Sequence, residues 1–125
     1  PALEGVTYKE LSFCLTDKFL LEDLNFGIGG VGSYTAESLA RAGVGHLTLV
    51  DGDTVAPSNL NRQLYALHST IGMLKVEAAK ARIMDINPDA DVLSLPIFYS
   101  AENASSIDFS NYDYIVDAIE KALGR

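Results

Sequence analysis

With 125 residues, 48% of them apolar, and a formal charge of −8, the chain has the material for one domain around one core. No apolar run reaches the roughly 20 residues that a membrane-spanning helix needs, and the single cysteine, Cys14, excludes an intramolecular disulfide framework or a four-cysteine zinc site within the chain. The acidic balance disfavours a nucleic-acid platform, which ordinarily shows a basic surface, yet leaves nucleotide binding open, because backbone N–H groups and one or two placed cations can hold phosphate locally.

The opening residues Pro1-Ala2-Leu3-Glu4-Gly5 lack the basic and apolar stretches of a secretory leader. A soluble, cytoplasmic protein without a membrane segment is therefore expected. Residues 1–25 carry only weak periodicity, and one helix is expected around Asp17 to Leu24. Leu20 to Phe26 makes a poor central strand, since Glu22, Asp23 and Asn25 interrupt its apolar pattern. Clear signals begin at Phe26. The chain accordingly divides into an N-terminal segment, 1–25, and a domain, 26–125, whose elements follow in order.

Gly27-Ile28-Gly29-Gly30-Val31-Gly32 is a glycine-rich turn, followed by a helix from Ser33 to Ala42 with Gly43 as its stop. Val31, Ala36, Leu39 and Ala40 are expected to face a sheet. His46 to Val50 is a short strand ending in Asp51, and Thr54 to Ile71 is a long irregular connection. Met73 to Ile86 is a helix ended by Asn87-Pro88. Asp91 to Leu95 is a third strand, Glu102 to Ile107 a short turn or helix, and Tyr114 to Val116 a buried strand ending in Asp117. Strands alternating with helices predict an α/β, Rossmann-like three-layer fold with a mostly parallel sheet.

Three constellations carry chemistry. In the glycine turn, Gly27 permits the bend, Gly29 lets phosphate approach the backbone, and Gly32 lets the helix pack close to its strand. The helix start then presents N–H groups and a positive dipole end to an anion. Asp51, about 20 residues on as nucleotide-binding turns require, can accept hydrogen bonds from ribose hydroxyls. Asp53 could do the same or bind a metal, although Asp51-Gly52-Asp53 also has the composition of an ordinary turn.

The second constellation is Ser58-Asn59-Leu60-Asn61-Arg62-Gln63 with Lys75. A dehydrogenase has no use for it, whereas adenylate transfer does. An oxygen nucleophile displaces pyrophosphate from the α-phosphate, and charge grows on oxygens that fixed cations can stabilise. Arg62 can fork onto phosphate and Lys75 adds a point charge; Asn59 and Gln63 can donate amide hydrogens. A lysine in a first helical turn opposes the helix dipole unless an anion is near. The third is Asp117, at the carboxyl edge of the last strand, where a carboxylate could hold Mg²⁺ against a triphosphate or simply be the N-cap of a helix. Glu120 follows it. Cys14, His46 and His68 read as structural.

Together these motifs, from Gly27 to Asp117, resemble the ThiF, MoeB and HesA superfamily, which includes the ubiquitin-like-protein activating enzymes. Ala36 to Gly45, Asp85-Ile86-Asn87-Pro88 and Val116-Asp117-Ala118-Ile119 look most like the tRNA threonylcarbamoyladenosine dehydratases. That resemblance implies an ATP- and Mg²⁺-dependent enzyme that activates the carboxylate of threonylcarbamoyladenosine in tRNA and gives a cyclic product. It implies that Gly27, Gly29, Gly30, Gly32, Asp51, Asp53, Asn59, Arg62, Gln63 and Lys75 surround ATP, with Arg62, Lys75 and Asp117 in the chemistry and Asp117 beside the metal. It implies a homodimer and a truncated fold, since family members continue about as long again, a second domain's worth of residues. The alternatives are adenylation of a sulfur-carrier or ubiquitin-like protein, and nucleotide binding without catalysis. Family members follow the fourth strand with Asp-x-x-Asp, where this chain has Glu120-Lys121 after Asp117-Ala118-Ile119.

Overall fold

The computed structural model describes residues 21–100 and 102–119. Four parallel strands form one sheet in the order β3-β2-β1-β4: β1 Glu22–Phe26, β2 His46–Val50, β3 Asp91–Leu95 and β4 Tyr114–Asp117. Two helices, α1 (Gly30–Arg41) and α2 (Lys75–Ile86), connect the first three strands. Between β3 and β4 the crossover has two short 3₁₀ turns, Ala104–Ser106 and Phe109–Asn111, where a regular helix could have stood. The α/β class and parallel sheet are as the alternation of elements predicts. Among the described residues no helix is long and apolar enough to cross a membrane.

The chain order turns back at β1. From β1 it proceeds outward to β2 and β3, then returns to pair β4 with the free side of β1. The carboxyl edge between β1 and β4 is therefore the topological switch point, where the loops diverge and leave a crevice.

Side chains alternate across each strand. Leu24, Phe26 and Val50 face one side, under Leu95, Ile97, Tyr99, Ile107, Tyr112 and Ile115. Phe26, Tyr99 and Phe109 form an aromatic cluster there, with ring centroids 4.5 to 6.3 Å apart. Leu47 and Leu49 face the other side, packed against Ala36, Leu39 and Ala40 of α1 and Val76, Ala79 and Ile83 of α2. Glu37 of α1 links the two helices through Arg82 of α2 and also pairs with Arg41 one turn along its own helix. Those hydrogen bonds, Arg82 first, hold its carboxyl below the ordinary range despite partial desolvation.

Several expectations need correction. The helix around Asp17 to Leu24 is overruled for its described part, because Glu22 to Leu24 are strand; the remainder lies outside the described residues. The poor strand pattern nevertheless occupies a central position, paired on both sides by β2 and β4, and Asp23 and Asn25 are fully buried in it. Backbone pairing from two neighbours overrides the weak local propensity. Val31 does not face the sheet but is 67% exposed, since at 3.6 residues per turn it lies about 140° round α1 from Ala36. Helix α1 also starts at Gly30, three residues before Ser33, and α2 starts at Lys75. Residues Cys14 and Glu120 lie outside the described residues.

Two glycines of the turn are required by close approach. Gly27 has φ +79°, and a Cβ on it would meet the backbone of Ala118 and Ile119 within 2.8 Å. A Cβ on Gly32 would stand 1.8 Å from the Gly27 carbonyl oxygen, backbone against backbone with no side chain to yield. Gly32→Ala is therefore expected to cost about 3 kcal/mol of stability, at the upper end of overpacking effects. A urea midpoint equal to wild type would contradict this contact.

Candidate functional site

The cleft at the switch point is built from the residues that follow all four strands. After Phe26 the chain bends at Gly27, whose N–H donates to the Val50 carbonyl (2.9 Å), and Ala118 N–H donates to the Phe26 carbonyl (2.8 Å). The glycine turn is thus held between the exits of β2 and β4. A cavity of about 220 Å³ opens there, lined by Gly27 and Gly29, Asp51 to Asp53, Lys75, Ile97 to Tyr99, and Ala118 and Ile119.

Asp51 is braced by the backbone. Its Oδ2 accepts from Ile28 N–H (3.1 Å) and its Oδ1 from Asp53 N–H (2.9 Å). Each carboxylate oxygen retains a lone pair for a further donor. The carboxylate therefore both ties the glycine turn to the end of β2 and presents acceptors to the cleft.

Lys75 is the most buried cation among the described residues, with its side chain 8% exposed. It is the first residue of α2, held by Lys75 N–H to the Asp53 carbonyl (2.9 Å) and by a bridge between Thr54 and Leu74. Its Nζ lies 3.5 Å from Asp53 Oδ2, on an aspartate side chain that is 59% exposed. A buried ammonium at the positive end of a helix requires anions. Asp53 supplies one, and the cleft leaves room for another.

Arg62 occupies a different place. It is exposed, with Nη1 donating to the Ser58 carbonyl (3.0 Å) and to Asn61 Oδ1 (3.3 Å). It lines a shallow depression with Gly30, Val31, Tyr34 and Thr35. Arg62 therefore meets the glycine turn at Gly30, beside the start of α1, while Lys75 meets it from within the cleft. Asn59 is buried and its Oδ1 accepts from Ala56 N–H (2.8 Å). Gln63 is buried behind the turn, its Oε1 3.1 Å from the Tyr65 hydroxyl. Asp117 is exposed at the end of β4, its Oδ1 3.3 Å from Ile119 N–H, next to the two residues that line the cleft.

Among the described residues no three His, Cys, Asp or Glu side chains converge on one point. Mg²⁺ bound to a triphosphate commonly takes only one or two carboxylates, so Asp117 fits that simpler arrangement. His46 lies at the opposite edge of the sheet, its Nδ1 3.6 Å from Asp91 and 3.9 Å from Glu22.

Sequence reasoning missed the wall formed by Ile97, Phe98 and Tyr99. Phe98 is 68% exposed, and a Cβ on Gly52 would stand 2.6 Å from its ring, so the ring lies directly over the Asp51-Gly52-Asp53 turn. Aromatic and apolar residues immediately after a strand exit at the carboxyl edge are the signal that could have found it.

A parallel sheet with a glycine turn, a braced aspartate and a buried lysine at its switch point defines a nucleotide-binding α/β protein. The chain belongs to the ThiF family, whose model matches residues 24–125. Among its relatives, the tRNA threonylcarbamoyladenosine dehydratase of Bacillus subtilis is 52% identical over 92 residues, covering 74% of this chain and 36% of the relative. The adenylyltransferase and sulfurtransferase UBA4 of Vanderwaltozyma polyspora is 42% identical over 102 residues, covering 82% of this chain and 23% of the relative. The solved structure of the E. coli tRNA N6-threonylcarbamoyladenosine dehydratase in complex with ATP superposes with a TM-score of 0.80 at 32% identity, over 93% of this chain and 52% of that one. By sequence, the match spans about a third of the length of the curated dehydratases, and by structure about half of the solved one.

Proposed function

We propose that the cleft binds ATP and that the protein transfers adenylate to a carboxylate oxygen, namely that of threonylcarbamoyladenosine in tRNA. The observation that carries this is the meeting of Lys75, the Asp51 carboxylate and the Gly27–Gly29 backbone at the switch point. Ile97 to Tyr99 supply an apolar wall for the base, Asp51 takes the ribose hydroxyls, and the glycine turn takes phosphate. A cavity of about 220 Å³ is below the usual 300–1,000 Å³ of a ligand pocket. A triphosphate would therefore extend past the turn toward Gly30, where Arg62 and the start of α1 offer positive charge. Asp53 and Asp117 flank the phosphates, and Asp117 would hold Mg²⁺.

In the reaction, a carboxylate oxygen attacks the α-phosphorus, the bond to the β-phosphate oxygen breaks, and pyrophosphate leaves with the electron pair. Lys75 and Arg62 stabilise the charge that grows on the phosphoryl oxygens. Bound Mg²⁺ would share that charge. The acyl adenylate is then open to an internal nucleophile, and ring closure releases AMP.

The test is ATP–pyrophosphate exchange by the full-length protein, with and without tRNA bearing threonylcarbamoyladenosine. Exchange and AMP release that require the modified tRNA are expected; neither occurring with that tRNA would reject this acceptor. The likeness to UBA4 favours one competing acceptor, the C-terminal carboxylate of a small carrier protein, and exchange that needs such a protein instead would select it. Arg62→Ala is expected to slow exchange about tenfold, because a cation aimed at developing charge acts mainly in the transition state. Its melting temperature should stay near wild type, since Arg62 is exposed. Unchanged exchange would remove Arg62 from the mechanism.

A further inference from the structure

Ile28 stands at the centre of the glycine turn and is fully buried, and both of its backbone polar groups are tied by side chains from elsewhere. Its N–H donates to Asp51 Oδ2, and its carbonyl accepts from the Tyr65 hydroxyl. Tyr65 belongs to the long connection after β2 and is 2% exposed, so this contact is sealed from water.

The Tyr65 hydroxyl stands against two acceptors, the Ile28 carbonyl and Gln63 Oε1 at 3.1 Å, yet it carries a single proton. Meanwhile Gln63 Nε2 is buried with no hydrogen-bond partner among the described residues. Turning the Gln63 amide over settles the first fault and halves the second. The nitrogen then donates to the hydroxyl oxygen, and the hydroxyl proton is committed to Ile28. The amide oxygen and the second amide hydrogen remain without partners among the described residues, so one orphaned N–H stands where there were two.

A peptide unit is planar and trans, so the Ile28 carbonyl and the Gly29 N–H point in opposite directions. Fixing the carbonyl toward Tyr65, beneath the turn, turns the Gly29 N–H away from Tyr65, and Gly29 lines the cleft. We infer that the Gln63–Tyr65 pair positions the Ile28–Gly29 peptide so that the Gly29 N–H meets a nucleotide phosphate. Tyr65 and Gln63 are positioning residues that touch no ligand, and their role rests on the ATP reading above. With Tyr65→Phe the ring still fills its space, but the peptide loses the bond that orients it.

The experiment compares ATP and adenosine binding to the full-length protein by titration calorimetry, for wild type, Tyr65→Phe and Gln63→Met. Tyr65→Phe is expected to weaken ATP about tenfold, the size of one charge-assisted hydrogen bond, and to leave adenosine affinity unchanged. Gln63→Met should weaken ATP about threefold with the same selectivity, being one step further back. A purely structural defect would weaken both ligands together and would overturn the inference. So would ATP binding at wild-type strength in both variants. Wild-type protein that binds no ATP would instead sink the functional reading itself, and the inference with it.

Discussion

Lys75→Met in the full-length protein is expected to slow adenylate transfer about a hundredfold or more, the scale of removing one preorganised group at a developing oxyanion. Lys75 differs from Arg62 in its surroundings. Its side chain is 8% exposed, whereas Arg62 stands in solvent. Charge–charge attraction is screened far less in a desolvated cleft, so a buried ammonium acts on phosphate more strongly than an exposed guanidinium does. Methionine keeps most of the aliphatic stem, so packing against the start of α2 is retained. The competing explanation is that Lys75 only neutralises Asp53, 3.5 Å away. Asp53 is largely exposed and can be solvated without a partner, so that role would leave activity little changed. Single-turnover formation of acyl adenylate, with thermal unfolding measured alongside, separates the two. A rate within twofold of wild type in Lys75→Met would reduce the lysine to a structural ion pair.

The elements legible in the sequence are those whose signals are local. The glycine turn, β2 with Asp51 at its end, α2 stopped by Asn87-Pro88, and β3 all stand where their residues announce them, as does the stop of α1 at Gly43, with φ +98°. Strand β1 was hidden because its own residues argue against it; the evidence for it sits in β2 and β4, which pair with both of its edges. The candidate site divides in the same way. Gly27, Gly29, Asp51 and Lys75 could be read as a set because each follows a recognisable element end. Tyr65 and Phe98 could not, since each reaches the site from a loop whose path is set by tertiary packing. Arg62 is instructive for the opposite reason. Its motif is plain in the sequence, but only the fold reveals that it stands beside Gly30 rather than in the cavity with Lys75.

The buried acid in β1 makes the second large prediction. Asp23 and Asn25 alternate with Leu24 and Phe26, and they register with Leu47 and Leu49 of β2, so they point into the apolar layer beneath α1. Asn25 Nδ2 donates to Asp23 Oδ2, but Asp23 Oδ1 and Asn25 Oδ1 have no partners among the described residues. Burial pushes the Asp23 carboxyl up to about 8, against the lowering effect of the Asn25 amide. In the unfolded chain the same group titrates near 3.8. Between those values the folded state keeps a proton that the unfolded state has lost, so this contribution is fully present below about pH 4 and is lost as pH rises through 8. The slope approaches about 1.4 kcal/mol per pH unit in that window. Glu37 acts in the opposite sense, since its carboxyl is held below the ordinary range and its stabilising effect fades as pH falls through that lowered value. From pH 5 to pH 8 the Asp23 effect therefore governs, and the urea midpoint should fall steadily across it. Asp23→Val with Asn25→Val replaces two desolvated polar groups by β-branched residues suited to a central strand. The double variant should gain about 3 kcal/mol at pH 7.5, within the range seen when buried polar pairs become apolar, and its midpoint should no longer decline from pH 5 to pH 8. A wild-type midpoint that is flat or rising over that interval would mean that Asp23 is ionised in the folded protein, and that water or another group reaches the strand beneath α1.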